Sequence, residues 1–472
     1  MKRPFFGTSV RLRGFGAASV TVLAAALFAT PVFAESLTDA LSAAYQSNPD
    51  LQGQRAQLRA TDEQVPQALS GYRPTVNAQG SYGYTGTKVK TSTTPPATLK
   101  STSHPLSGSV TLDQNIFAGG RTYNSTKQAE YAVAAGRNNL TSAEQSTLLA
   151  AIGAYMDVIR DTGVVDLNRN NVEVLKRQLE ATQDRFRVGE LTRTDVAQSE
   201  ARLSGARTSL TQAEAQLTAS RADYEKVIGH APGTLEKPKP ADGLPATEDD
   251  ARNLAERGNP DLMAARNAEA SSAAAISAAK GAVLPSFDIQ AQYTYGRDPS
   301  GLSSTPIDHT QETSVMGVLT SPLYQGGAEY SRVRQAKEQH SQALMQIAST
   351  QRVVDEGVRN AWEGLRSARA NIVSSQEQVK ANEIALEGVR QEAEVGSQTT
   401  LDVLNAEQEL LNARVTLVSA ERDEAVAEFN LLSATGQLTA KQLNLPVKYY
   451  DPEDNYNSVE DQWLGWGTSD DE

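Results

Sequence analysis

The sequence predicts a mainly α fold with a β-barrel portion, in which long coiled-coil helices are joined to four membrane strands per subunit. Three observations predict it. A unit occurs twice at a spacing near 207 residues, two stretches of nearly seventy residues lack proline, and four segments alternate apolar with polar residues. Hydrophobic residues make up 39% of the 472, aromatics 6%, and mean hydropathy is −0.44. That is lean for this length, and suits thin walls of narrow-seamed helices better than one thick core.

At the start, Lys2, Arg3, Arg11 and Arg13 precede an apolar run from Ala17 to Phe28 that closes on Pro31-Val32-Phe33-Ala34. This is the pattern of a secretory signal peptide over residues 1–34, too short to span a bilayer, and it predicts a mature chain beginning at Glu35. Removing its four basic residues takes the formal net charge from −13 to −17. So acidic a chain argues against nucleic acid as a partner. There is no cysteine, so neither a disulfide nor an acylated N-terminal Cys is available, and anchoring falls to the fold.

The repeat is read from its turns. Val188-Gly189-Glu190-Leu191-Thr192-Arg193-Thr194-Asp195-Val196 recurs as Val395-Gly396-Ser397-Gln398-Thr399-Thr400-Leu401-Asp402-Val403, and Phe117-Ala118-Gly119-Gly120 as Tyr324-Gln325-Gly326-Gly327. Asn48-Pro49-Asp50-Leu51 recurs as Asn259-Pro260-Asp261-Leu262 at the slightly larger offset of 211. The units are placed at residues 35–229 and 251–438, with a Pro/Gly-rich connector at 230–250 and an acidic tail at 439–472.

Each unit reads as helix, two strands, long helix, shorter helix. Val76, Ala78, Gly80, Tyr82 and Tyr84 alternate with polar neighbours, as do Leu106, Val110, Leu112 and Ile116; the second unit offers Phe287 to Tyr295 and then Val315, Gly317, Leu319 and Leu323. The Thr/Ser/Pro-rich segments 88–105 and 298–311 between paired strands predict exposed loops. The strands are about ten residues long with one apolar face, the signature of a barrel strand in an outer membrane. Four cannot close a barrel, since the smallest has about eight strands, so copies must share one. Counting alone permits a dimer, trimer or tetramer.

The proline-free stretches 120–187 and 327–394 predict helices that reach about 100 Å each. After each repeated turn the shorter helix carries a heptad seam, from Val196 to Val227 and from Leu401 to Leu432. A second seam, Val403, Ala406, Leu410, Ala413, Leu417 and Ala420, runs beside the latter, and two seams imply two neighbours. The tail from Pro446, with Trp463 and Trp466, has no periodicity and predicts a poorly ordered periphery.

These residues, in this order and duplicated, resemble the TolC family of outer-membrane factors over essentially the whole chain to about Leu443. The resemblance implies a homotrimer with a shared twelve-stranded barrel, continued by a twelve-helix tunnel into the periplasm and closed at its lower end. It further implies a periplasmic adaptor (membrane fusion) protein and an inner-membrane transporter of RND or ABC type as partners, outer-membrane lipid around the barrel, and no cofactor. The adaptor-contact hairpin tips are then Val188, Gly189, Leu191 and Val395, Gly396, Ser397. The aperture positions are Asp195, Gln398, Asp402 and Asn405, with Asn405 standing where the best-known member of the family has a second aspartate and Gln398 where it has an arginine. Three Asp402 carboxylates near a threefold axis would repel, raise one another's pKa and attract cations. The competing reading makes Asp195 and Asp402 helix N-caps just past a glycine turn.

Nothing in the sequence points to an enzyme. His104, His230, His309 and His340 are scattered without metal spacing, Ser277-Ala278-Ala279-Lys280 has no accompanying S-D-N or K-T-G, and Gly14-Phe15-Gly16 lies in the leader. The tyrosines at 82, 84, 293 and 295 suit a membrane-interface girdle better than a sugar platform. The residues thus support a channel-tunnel for efflux or type I secretion, with drugs and secreted polypeptides ranked equally as cargo. The alternative is a periplasmic coiled-coil scaffold without a pore, which leaves the strands unused.

Overall fold

The computed structural model describes residues 34–297 and 309–467. The expected leader, apart from Ala34, and residues 298–308 of the second expected loop lie outside them. The chain opens with helices α1 (Leu37–Ser47), α2 (Pro49–Asp62) and α3 (Gln64–Leu69), where one helix per unit was expected before the strands. The split is local chemistry. Asn48 has extended ψ and Pro49 cannot donate a backbone bond, so one helix ends and another starts. Asn259-Pro260 divides α6 (Glu248–Gly258) from α7 (Pro260–Gly281) in the same way.

Both asparagines do a second job. Asn48 Oδ1 accepts from the N–H groups of Asp50 and Leu51 at 3.0 and 3.2 Å, while its Nδ2 donates to the carbonyl of Val227 at 3.0 Å. Val227 lies in the last turn of α5 (Arg193–Ile228), so Asn48 splices the end of α5 to the start of α2. Asn259 does the same with the carbonyl of Ala434, the last residue of α9 (Thr400–Ala434), at 3.2 Å. Each spliced pair forms one composite rod beside an unbroken helix, α4 (Arg121–Arg187) or α8 (Ala328–Glu394), both 67 residues long.

The four rods form one layer. In its lower part the order is α5, α4, α9, α8; in the upper part α2 and α7 flank α4, and α7 packs on α8. The two seams of α9 meet two neighbours: Val403 and Leu410 pack on Leu386 of α8, while Leu404 meets Leu175 of α4 and Val418 approaches Gly163 of α4. Among the described residues no helix is long and apolar enough to cross a membrane.

The sheet runs β1 (Thr75–Tyr82), β4 (Leu106–Ala118), β5 (Ser286–Arg297), β6 (Thr310–Thr320), all antiparallel, with β1 and β6 as open edges. Register aligns like with like across it. Val76, Leu112, Ala291 and Val315 form one row; the adjacent row, Asn77, Thr111, Gln292 and Ser314, points to the opposite face and is polar. Leu323 falls beyond the end of β6 and does not continue its alternation. The segment expected to be an exposed loop is instead a hairpin, β2 (Thr85–Thr91) with β3 (Ala97–Ser103). Its Thr- and Ser-rich strands carry no apolar face to announce them. Likewise Thr310 and Gln311 of the second expected loop already belong to β6.

The thickest core lies at mid-height, where α1, the connector and the chain after α9 pack against α4 and α5. Tyr155 and Tyr224 are fully buried there. Tyr155 Oη lies 2.8 Å from the carbonyl of Glu35 and 2.7 Å from that of Glu236, and Tyr224 donates to Glu35 Oε1 at 2.6 Å. Burial pushes both phenols above their usual range. The described part of the tail, to residue 467, is not loose, and residues 468–472 lie outside the described residues. Helix α10 (Asp454–Val459) and its flanks are fastened to α2 and α4, with Asn455 donating to the buried Asp62 at 2.8 Å and Arg137 pairing with Glu453 at 2.9 Å. Scattered polar contacts and isolated apolar ones, Val447 and Tyr450 on the main core and Tyr456 beside Val65 and Val133, hold it, and these leave no period in the sequence.

Removing a splice should be measurable. Asn48→Ala and Asn259→Ala are each expected to destabilise the detergent-solubilised protein by about 1 kcal/mol or more, through lost capping. The two should be nearly additive in denaturant midpoints, since the sites share no partner. Unchanged midpoints would mean that packing alone aligns the rods.

Candidate functional site at the two hairpin turns

Helices α4 and α8 end in the same turn. Gly189 and Gly396 adopt φ of +83° and +81°, and the next N–H groups reach back to the last helical turn, Glu190 to the carbonyl of Arg185 at 3.0 Å and Ser397 to that of Glu392 at 2.9 Å. This is the 6→1 bond of a Schellman ending, which requires a left-handed residue. A Cβ at either glycine would meet nothing within 4 Å, so conformation alone demands glycine there. Val188 and Val395 consequently project outward, 72% and 80% exposed, with the half-exposed Phe186 beside the first and Leu191 partly covered.

The following helices open with matching capping boxes. Thr192 and Thr399 are the N-caps, and their hydroxyls accept from the N–H groups of Asp195 and Asp402. The aspartates are therefore not N-caps; they are the third helical residues, closing the box from inside. Asp195 Oδ2 accepts from Thr192 N and Oγ1 at 2.8 and 2.7 Å, and Asp402 Oδ2 from Thr399 N and Oγ1 at 3.0 and 2.5 Å. The threonine hydroxyl first, and then its backbone N–H, hold each carboxyl below the usual carboxylate range. Within one chain the effect is opposite in sign to that of mutual repulsion in a ring.

Asn405 lies one turn beyond Asp402 on the same helical face. Its Oδ1 accepts from Arg202 Nη2 of α5 at 2.6 Å, a tie between the two hairpins. Gln398 is exposed in the turn before the cap. The structure thus groups Gln398, Asp402 and Asn405 at the start of α9 and sets Asp195 at the corresponding place on α5. Sequence reading did not select Arg202, since its partner comes from the other unit. It also passed over the threonines, although T-x-x-D is itself a capping signal. Ion pairs brace the second hairpin above the turn: Arg390 with Glu407, and Arg414 with Glu383 at 2.8 Å.

Among the described residues no group of three His, Cys, Asp or Glu side chains could hold a metal. His340 pairs with Glu269 at 2.6 Å, and His104 and His309 lie against tyrosine rings of the sheet.

A sheet with one apolar row and one polar row per residue pair, drawn out into a layer of rods about 100 Å long that ends in two exposed turns, defines the subunit of an outer-membrane channel. The chain belongs to the outer membrane efflux protein family, whose family model matches residues 40–230 and 251–437. It is 36% identical over 454 residues to the outer membrane efflux protein BepC of Brucella suis biovar 1 (strain 1330), covering 96% of this chain and 97% of the relative. It is 27% identical to the outer membrane protein TolC of Escherichia coli (strain K12) over 432 residues, 87% of this chain and 84% of the relative. Its fold is that of the Campylobacter jejuni CmeC outer membrane channel, with a TM-score of 0.73 at 16% identity over 90% of this chain and 89% of the other. The outer membrane protein VceC of Vibrio cholerae shares it, with a TM-score of 0.71 at 19% identity over 85% and 96%. The protein is therefore an outer-membrane transport channel whose helical part extends into the periplasm.

The turns make a clean test of conformation against contact. Gly396→Ala should cost about 1–2 kcal/mol, the penalty for a left-handed non-glycine residue. Gly396→Asn should cost clearly less, because asparagine tolerates that region. Equal losses in denaturant titrations would show that the turn needs glycine for some reason other than φ.

Proposed function

We propose that the protein is a trimeric channel-tunnel that carries drugs or secreted polypeptides from an inner-membrane transporter of RND or ABC type, through a periplasmic adaptor, to the cell exterior. The observation that carries this reading is the pair of open edges on a sheet whose one face is apolar. In lipid those edges need partners, and β6 of one copy can pair with β1 of the next. Three copies supply twelve strands, the arrangement that the resemblance of the repeat also implies, and four rods from each copy supply twelve helical rods. The relatives' names cover both cargo classes, since BepC is called an efflux protein and AprF of Pseudomonas aeruginosa an alkaline protease secretion protein.

At the lower end, Asp402 forms the charged ring of the aperture, with Asn405 and Gln398 beside it and Asp195 on the neighbouring hairpin. Val188, Gly189, Leu191 and Val395, Gly396, Ser397 offer the exposed apolar tips to the adaptor's own hairpins. The channel itself does no chemical work. The transporter supplies energy, and adaptor contact at the tips releases the closed end.

Single-channel conductance in planar bilayers tests both levels. Asp402→Asn is the informative variant, because an amide oxygen can still accept from Thr399 while the charge is gone. The wild-type channel should pass a small cation-selective current that multivalent cations block from the periplasmic side, and the variant should lose most of that block. Equal block in both would remove Asp402 from the aperture. A folded, inserted protein that never conducts would favour a scaffold.

A further inference from the structure

The described chain ends in exposed aromatic residues held at the foot of the sheet. Arg55 lies between the rings of Tyr45 and Tyr450, 4.5 and 5.0 Å from their centres; Asp62 holds Asn455; and Arg73 donates to the carbonyl of Gln462 at 2.6 Å and covers the ring of Trp463 at 5.0 Å. Tail residues 450, 455 and 463 thus meet residues 55, 62 and 73 in order, so the tail climbs alongside α2 toward the sheet. Arg73 stands two residues before β1 begins. Beyond that anchor Leu464 and Trp466 are almost wholly exposed, at 92% and 102%, and Trp463 is 64% exposed.

Which side of the wall this is follows from the tail's company. Tyr450 packs with α1 and the mid-height layer, and a pore through a ring of rods leaves that extra layer on the outside. At the same end of the sheet Phe117, paired with Phe287 in the apolar face, is exposed, and so are Tyr72, Leu323 and Tyr324, which lie just beyond the strands.

We propose that Trp463, Leu464 and Trp466 form an interfacial anchor that seats the foot of the sheet in the headgroup layer of the periplasmic leaflet of the outer membrane. The inference rests on the reading of the sheet as membrane-spanning. Tryptophan is the residue best matched to that layer, with an apolar ring system and one N–H donor for headgroup or water. Glu460 and Asp461 precede the trio and Asp470, Asp471 and Glu472 follow it in sequence, so anionic lipid is disfavoured. The occupant is a zwitterionic phospholipid such as phosphatidylethanolamine.

The chain has three tryptophans, so Trp362→Phe leaves Trp463 and Trp466 as the emitters. The full-length variant is reconstituted into phosphatidylethanolamine/phosphatidylcholine vesicles, with and without acyl chains brominated near the headgroup, and insertion is checked by flotation. Expected are blue-shifted emission, loss of most intensity in the brominated vesicles, shielding from aqueous iodide, and no gain on adding phosphatidylglycerol. Floating protein whose tryptophans are quenched by iodide and not by bromine would overturn the anchor while leaving the membrane-spanning sheet intact. Shielding from both quenchers would assign the trio to a protein contact and overturn it equally. Failure to float would bring down both readings.

Discussion

A backbone N–H or C=O left unpaired in hydrocarbon costs several kcal/mol, and one copy of this chain exposes a row of them along β1 and another along β6. On the channel reading that constraint sets the architecture below as well. Each strand of the sheet continues into its own rod: β1 from α3, β4 into α4, β5 from α7 and β6 into α8. Strands sit about 4.8 Å apart, whereas helices pack at 8–10 Å, so each junction must absorb a sideways step. The residues at the junctions are suited to it. Gly119-Gly120 and Gly326-Gly327, all with left-handed φ, turn strand into helix. Pro74 and Pro285 end the helical conformation just before β1 and β5. Around Gly119 the space is full as well, since a Cβ would lie 2.4 Å from the carbonyl of Gly281.

Much of this was legible in the sequence because it repeats and because it is periodic. The N-P-D-L pairs, the double-glycine junctions, the V-G turns and the two seams of α9 are short-range signals, each with a mechanism in capping, turn geometry or burial. What escaped reading depends on partners distant in sequence. The hairpin of β2 and β3 has polar strands on both faces, the tail is held by Asp62 of α2, Arg137 of α4 and Arg73 just before β1, and Arg202 reaches Asn405 across 203 positions. The aspartates at the turns show a different limit. Their type and place were plain, but one motif serves two purposes, and only geometry reveals that the threonine caps while the aspartate closes the box.

That double use bears on how a charged aperture could be built at all. Carboxylates gathered on an axis push one another toward the neutral form. At Asp402 the hydroxyl and N–H of Thr399 act against such a push from within the same turn.

Stability along the rods is graded, and the gradient points the same way. At mid-height large side chains such as Leu148, Ile152, Tyr155, Tyr224 and Ile228 are fully buried in one continuous core. Toward the turns the cores shrink to Leu175, Leu203, Ala206 and Leu404 in one place and Leu386, Val403 and Leu410 in another. Burying a leucine contributes roughly 1.5–3 kcal/mol, so the lower ends are held by a few such contributions and by surface ion pairs worth under about 1 kcal/mol each. Segments with few buried contacts are those that open locally at least cost. A partner bound to the exposed valines of the tips would therefore act on the weakest part of the wall, while the rods above it, spliced at Asn48 and Asn259 and locked into the mid-height core, stay fixed.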